Sequence, residues 1–156
     1  MYDRRHLDET PSPPGIEAAL LWSIRAWVIG FSRGIEVQSR ITQLWSRLGV
    51  PDAANYIDGM MWALSRGVTR TVEINCVCNG ETSDDEATLV NLVVQPIVYD
   101  RILPLEVLSM ATPPSTQAIC ESAARLRQLL TRAGRDFSSN VVAFPTNRMA
   151  ASRTLH

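Results

Sequence analysis

The chain reads as an all-α domain: a compact bundle of five or six helices, one short extended segment at about residues 69–78, and mobile termini. Three observations lead there. Apolar residues recur three and four apart in stretch after stretch, the spacing that places them on one helical face. A period-2 alternation, the mark of a half-buried strand, occurs once. Helix stops fall between the periodic stretches: Gly34, Gly49-Val50-Pro51, Gly67, Pro96 and Gly134.

Taken in order, residues 1–14 form an arm that ends in Pro11, Pro13 and Pro14, with Ser12-Pro13 suited to start a helix. Ile16, Leu20, Ile24, Trp27, Val28 and Phe31 then share one face. Leu21, Trp22 and Ile29 lie off it, which leaves a polar strip near Glu17, Arg25 and Ser32. A helix apolar around so much of its circumference is either central or part of an interface. A second helix is expected over residues 35–48, with Val37, Ile41, Leu44, Trp45 and Leu48 buried. Asp52 is placed to cap a third, whose core face is Ala53, Ile57, Met60, Met61 and Leu64, ending near Gly67.

The period then changes. Val72, Ile74, Cys76 and Cys78 alternate with Thr71, Glu73, Asn75 and Val77. One strand makes no sheet. It pairs across a dimer axis, pairs with an irregular segment, or lies as extended chain over helices. Ser83-Asp84-Asp85-Glu86 is a capping box, Ser at the cap and Glu three residues on. Its helix carries Leu89, Val90, Leu92, Val93 and Val94 and should stop before Pro96. A short helix follows around residues 104–110. Thr112-Pro113 opens the last one, with Ile119, Ala123, Leu126, Leu129 and Leu130 inside and Gly134 beyond its end. The domain is expected to span 15–137. Residues 138–156 read as a disordered tail with one apolar island, Val141-Val142-Ala143-Phe144-Pro145.

Composition excludes several chemistries. The chain has 156 residues, 46% hydrophobic and 20% charged, with a net charge of −1, which suits one globular domain. All 15 basic residues are Arg, so no P-loop lysine or Schiff-base lysine exists. The two His are His6 and His156, near the ends, so Ser-His-Asp and Cys-His sets lack a base in the body of the chain. No catalytic constellation and no cofactor motif is recognised. The first residues have no apolar region of the secretory kind, and no stretch is long enough to cross a membrane. Three Cys do not pair completely, which points to free thiols in a reducing cytoplasm.

What remains is a non-enzymatic cytoplasmic protein of the interaction or regulatory kind. Its apolar helical surface predicts a homo-oligomer, a dimer in the simplest case, or contact with another protein. Trp22, Ile29, Trp45 and Trp62 are the candidate interface anchors. Two alternatives come from other classes. Helices 35–48 and 52–67 with Arg40, Arg47, Arg66 and Arg70 form a candidate nucleic-acid surface. Their match to a helix-turn-helix is poor, since Trp45 falls where the helices must approach closely. Cys76 and Cys78, with Cys120 brought in by folding, are the candidate soft-metal or thiol set; otherwise they fill core positions. Helix capping accounts for Asp84, Asp85 and Glu86, and the basic side of the last helix (Arg125, Arg127, Arg132, Arg135) offers a patch to an acidic partner.

Overall fold

In a computed structural model, residues 15–95 and 104–135 are described. The arm at 1–14, the tail at 138–156 with its Val141–Pro145 island, and the stretch around Pro96 lie outside the described residues. The described residues hold six helices: α1 (Ile16–Arg33), α2 (Gln38–Arg47), α3 (Ala53–Gly67), α4 (Asp84–Val94), α5 (Leu105–Leu108) and α6 (Pro113–Arg132). The fold is all-α, as the periodicity requires.

Helix α3 is the centre. It packs along α6 in the most extensive helix pair and also touches α1 and α2. The pairing with α6 rests on small residues. A Cβ added at Gly67 would lie 2.5 Å from the Ser115 Cβ, and one at Gly59 would lie 3.4 Å from the Ser122 Oγ. Absent side chains let the two backbones approach. Ala53, Ile57, Met60, Met61 and Leu64 are all buried, as are Ile119, Ala123, Leu126 and Leu130 across from them; Leu129 is half-buried.

The local signals mark most of the helix ends. Gly34 adopts φ 66° and its N–H bonds the Gly30 carbonyl, closing α1 in the left-handed conformation that glycine tolerates. The chain then doubles back so closely that a Cβ at Gly30 would sit 2.6 Å from a Val37 methyl. The Ser83–Glu86 capping box is complete in both directions. Thr112 accepts from Ser115 N–H at the start of α6, with Pro113 in the first turn.

Four expectations about ends and faces need correction. Helix α1 is capped by Gly15 rather than Ser12. Helix α2 begins at Gln38, three residues late; the Glu36 carboxylate takes the Ser39 N–H at 2.9 Å and its hydroxyl at 2.8 Å, and Ile35 is left exposed. Asp52 sits in helical backbone and makes no side-chain cap to α3. Phe31, placed on the inner face of α1, is 53% exposed, while Glu17 and Arg25 of the supposed polar strip are buried. Helix α4 packs against α1 and its Glu86 meets Arg25, so that part of the strip is enclosed, while Ser32 stays exposed.

Among the described residues, the segment between α3 and α4 pairs with no strand. Apart from one isolated bridge, Val68 to Ala111, it is extended chain laid over helices. Its backbone is satisfied by side chains instead. Glu73 N–H donates to Asp85 Oδ2 at 2.8 Å and Asn75 N–H to Glu86 Oε2 at 2.9 Å. Ser83 Oγ donates to the Glu73 carbonyl. Asp85 and Glu86 therefore do more than favour a helix N-terminus. They stand where a neighbouring strand would stand.

Candidate functional site

Buried charges hold the extended segment in place. Arg25, on α1, is 4% exposed and meets Glu86, which is fully buried, at 2.7 Å. Its remaining donors reach the Asn79 carbonyl at 2.8 Å and the Glu81 carbonyl at 2.6 Å. Glu86 also accepts from Ser83 N–H and Asn75 N–H. A buried ion pair is tolerated only when its other donors and acceptors are filled, as they are here. Arg70 makes a second pair with Asp85 at 2.9 and 3.0 Å. That bond raises the Arg70 pKa. At Asp85, burial works to raise the pKa, but the Arg70 guanidinium and the Glu73 N–H together bring it below the usual carboxylate value.

An aromatic cluster lies on the far side of α1. Trp27 stacks on Phe31, one helical turn on, with centroids 5.0 Å apart and planes at 12°. Trp62, on α3, stands edge-on to both, at 5.4 and 5.5 Å. The geometry suits ring quadrupoles, whose positive edges point at negative faces. Trp27 is pinned by its indole N–H, which donates to Asp58 Oδ1 at 2.8 Å. Arg66 covers Trp62 at 5.6 Å from the ring centroid. Phe31 and Trp62 nonetheless remain 53% and 40% exposed. An open groove of about 580 Å³ runs here, lined by Trp27, Phe31, Leu64, Val68, Val72 and Ile74 among others.

The predicted interface residues separate. Trp62 is at this surface. Trp22 and Ile29 are half-buried, and Trp22 packs against the core. Trp45 is wholly buried, its indole N–H donating to Ser23 Oγ at 3.0 Å, and it has no surface to offer a partner. Sequence reasoning placed both Trp27 and Phe31 inside; Trp27 is buried as expected, and Phe31 is not. The legible signal was their i, i+4 spacing, together with Trp62 and Arg66 at the same interval.

The four arginines of the nucleic-acid alternative do not act together. Arg70 is neutralised by Asp85, Arg66 lies over Trp62, and Arg40 stands near the Glu36 carboxylate. Arg47 is exposed at the last turn of α2. On α6, Arg127 donates to the Leu92 and Val93 carbonyls at the end of α4; Arg135, just past the end of α6, donates to the Leu48 carbonyl. The basic side of that helix is in part a set of caps for its neighbours' C-termini.

The cysteines depart furthest from expectation. Cys76 and Cys78 are exposed rather than core filler. Their sulfurs are 2.8 Å apart across a turn closed by Asn79 N–H to the Cys76 carbonyl at 3.0 Å. The Cys78 thiol, then the backbone N–H of Cys78 and Asn79 and the Arg25 charge, lower the Cys76 pKa, whereas Cys76 raises that of Cys78. Cys120 lies apart on α6, half-buried, its pKa raised by burial. No group of three or more His, Cys, Asp or Glu able to hold a metal exists among the described residues, so the three cysteines are not brought together as a ligand set.

No family model matches the chain, and no curated protein or solved structure matches it either. Among the described residues, no helix is long and apolar enough to cross a membrane.

Proposed function

We propose that this is a non-enzymatic interaction protein of the cytoplasm, which self-associates through the aromatic surface of α1 and α3. The observation behind the reading is the pair Phe31 and Trp62: two large aromatic rings half in solvent, next to an apolar groove. Aromatic residues that keep much of their area exposed beside a hollow are typical of the centre of an interface.

A second copy is the occupant that the shape favours. Phe31, itself part of the groove's lining, is exposed, and Ile35, just beyond α1, is exposed as well. Exposed ring and hollow thus sit on one patch. Two-fold symmetry lets each copy place its Phe31 in the other's groove, which makes the contact self-complementary. Val68, also exposed, extends the same apolar surface. Trp27, held by Asp58, is a fixed part of the groove's lining, so little ordering is needed on association.

Sedimentation velocity of the full chain over about 1–100 μM, a range that brackets a micromolar dimer, tests the reading. A concentration-dependent dimer is expected for the natural sequence. A monomer is expected for the Phe31→Ala, Trp62→Ala double variant. A strict monomer at the top of the range, or a dimer that survives both substitutions, would sink the proposal.

A further inference from the structure

The two exposed sulfurs have no part in the aromatic surface, yet they are held with unusual care. The Cys76 turn is anchored from below by Arg25, whose guanidinium bonds the Asn79 and Glu81 carbonyls. Asn75, the residue before Cys76, is fixed at both ends: its N–H bonds Glu86 and its side-chain amide bonds the Glu81 carbonyl at 2.9 Å. The chain entering the turn and the chain leaving it therefore rest on one buried ion pair. We propose that Cys76 and Cys78 are a redox-active dithiol that closes to an intramolecular disulfide by exchange with a low-molecular-weight disulfide.

The step balances without any other reagent. The Cys76 thiolate attacks one sulfur of the disulfide RSSR, forming Cys76–S–S–R and expelling RS⁻. The Cys78 thiol then gives its proton to water and attacks the Cys76 sulfur. The S–S bond between the Cys76 sulfur and the SR group breaks and a second RS⁻ leaves. The protein dithiol has lost two electrons and two protons, and the disulfide has become two thiols.

Either sulfur can donate across the contact between them; the arrangement in which Cys78 donates leaves the Cys76 anion stabilised in place, and Cys76 then attacks. Cys78 stands 2.8 Å away and resolves the mixed disulfide. A resolving thiol already in contact reacts as an intramolecular neighbour, with the high effective concentration that fixed proximity brings. Both side chains are open to solvent, so a small disulfide can reach them. Metal capture fits less well, since two thiols alone leave a closed site short of ligands and the described residues supply no third. Cys120, half-buried and with its pKa raised, is the internal control.

The test uses the full chain, reduced and then freed of reductant in the presence of a chelator. It is treated with oxidised glutathione, quenched by alkylation, and mapped by peptide mass spectrometry. The expected product is a peptide with Cys76 and Cys78 both unalkylated and a mass lower by about 2 Da, with no glutathione retained. Cys120 should alkylate normally. Cys78→Ser should stop at a stable glutathione adduct on Cys76. Cys76→Ser should form no intramolecular disulfide and leave any glutathione as a stable adduct on Cys78. Both substitutions are on exposed side chains and leave the fold intact. Glutathione retained on either cysteine of the natural chain, oxidation of Cys120 at the same rate, or no reaction at Cys76 would overturn the proposal. So would a bound metal that shields both thiols before the chelator is added.

Discussion

The α3–α6 pair and the extended segment between α3 and α4 are held by opposite means. At the helix pair, side chains are removed: Gly59 and Gly67 face Ser122 and Ser115, and apolar rows close behind them. At the extended segment, side chains are added. Asp85, Glu86 and Arg25 replace the partner strand that its backbone lacks. The first solution depends on shape and tolerates no added volume. The second depends on charge and fails when one partner is removed or protonated. The contrast shows why a lone strand-like pattern can survive in a helical domain. A buried carboxylate can accept a backbone N–H as well as a carbonyl can.

Substitutions can set the two regions against each other. The largest effect is expected at the charged hub. Glu86→Ala strips Arg25 of its counter-charge, removes half the capping box and leaves Asn75 N–H without its acceptor. Breaking one side of a buried pair costs about 3–5 kcal/mol, read as a drop in the denaturant midpoint. Hydrogen exchange at the Asn75 amide should accelerate before that of the α3 amides. Equal acceleration in both regions would mean that they unfold as one unit and that the contrast is false.

Next is Gly67→Val. Its Cβ would fall 1.9 Å from Ser115 Oγ and 2.5 Å from Ser115 Cβ, so α3 and α6 must separate. Overpacking of this kind costs about 1–3 kcal/mol by chemical denaturation. Ser115→Gly in the same chain should recover part of the loss. No recovery would place the strain elsewhere.

A pH series sharpens the comparison further. The folded-state pKa of Asp85 is depressed, so its contribution is complete above the ordinary Asp value. It is lost as pH falls through that value, about 4, toward the lower folded one. The urea midpoint of the natural chain should therefore fall more steeply below about pH 4 than that of Asp85→Asn. Parallel profiles would show that the Arg70 pair contributes nothing at this site.

The smallest effect on stability is expected at the aromatic surface. Trp62 is already 40% exposed, so Trp62→Ala should change the denaturation midpoint of the monomer by about 1 kcal/mol or less, as exposed positions generally do. The same substitution should abolish dimer formation in sedimentation. A large loss of monomer stability would identify Trp62 as core and remove the anchor from the interface.

Much of the helical framework was legible because its determinants are local. Periodicity within 10–20 residues sets which face of α3 or α6 is apolar. Gly34, Ser83 with Glu86, and Thr112 with Pro113 act on backbone groups within five residues of themselves. No tertiary information is needed to read them. The extended segment was recognised by its alternation, but its partner was not. Nothing near Asn75 in the chain announces that Glu86 will take its N–H.

The same division explains the misplaced residues. A charge on a helix is assigned to solvent by default, because an unpaired buried charge is too costly. Arg25 escapes that rule through Glu86, 61 residues away, and the Asn79 and Glu81 carbonyls. Phe31 and Cys76 are assigned inward by the mirror argument. They lie outside because the core was filled by other residues, Trp45 and the α3 methionines among them. Helix positions, caps and stops were thus set by the chain's local pattern. Burial of the charged pairs, exposure of Phe31 and Trp62, and the meeting of two sulfurs in one anchored turn were settled by long-range packing, since each depends on which surfaces the helices cover when they come together.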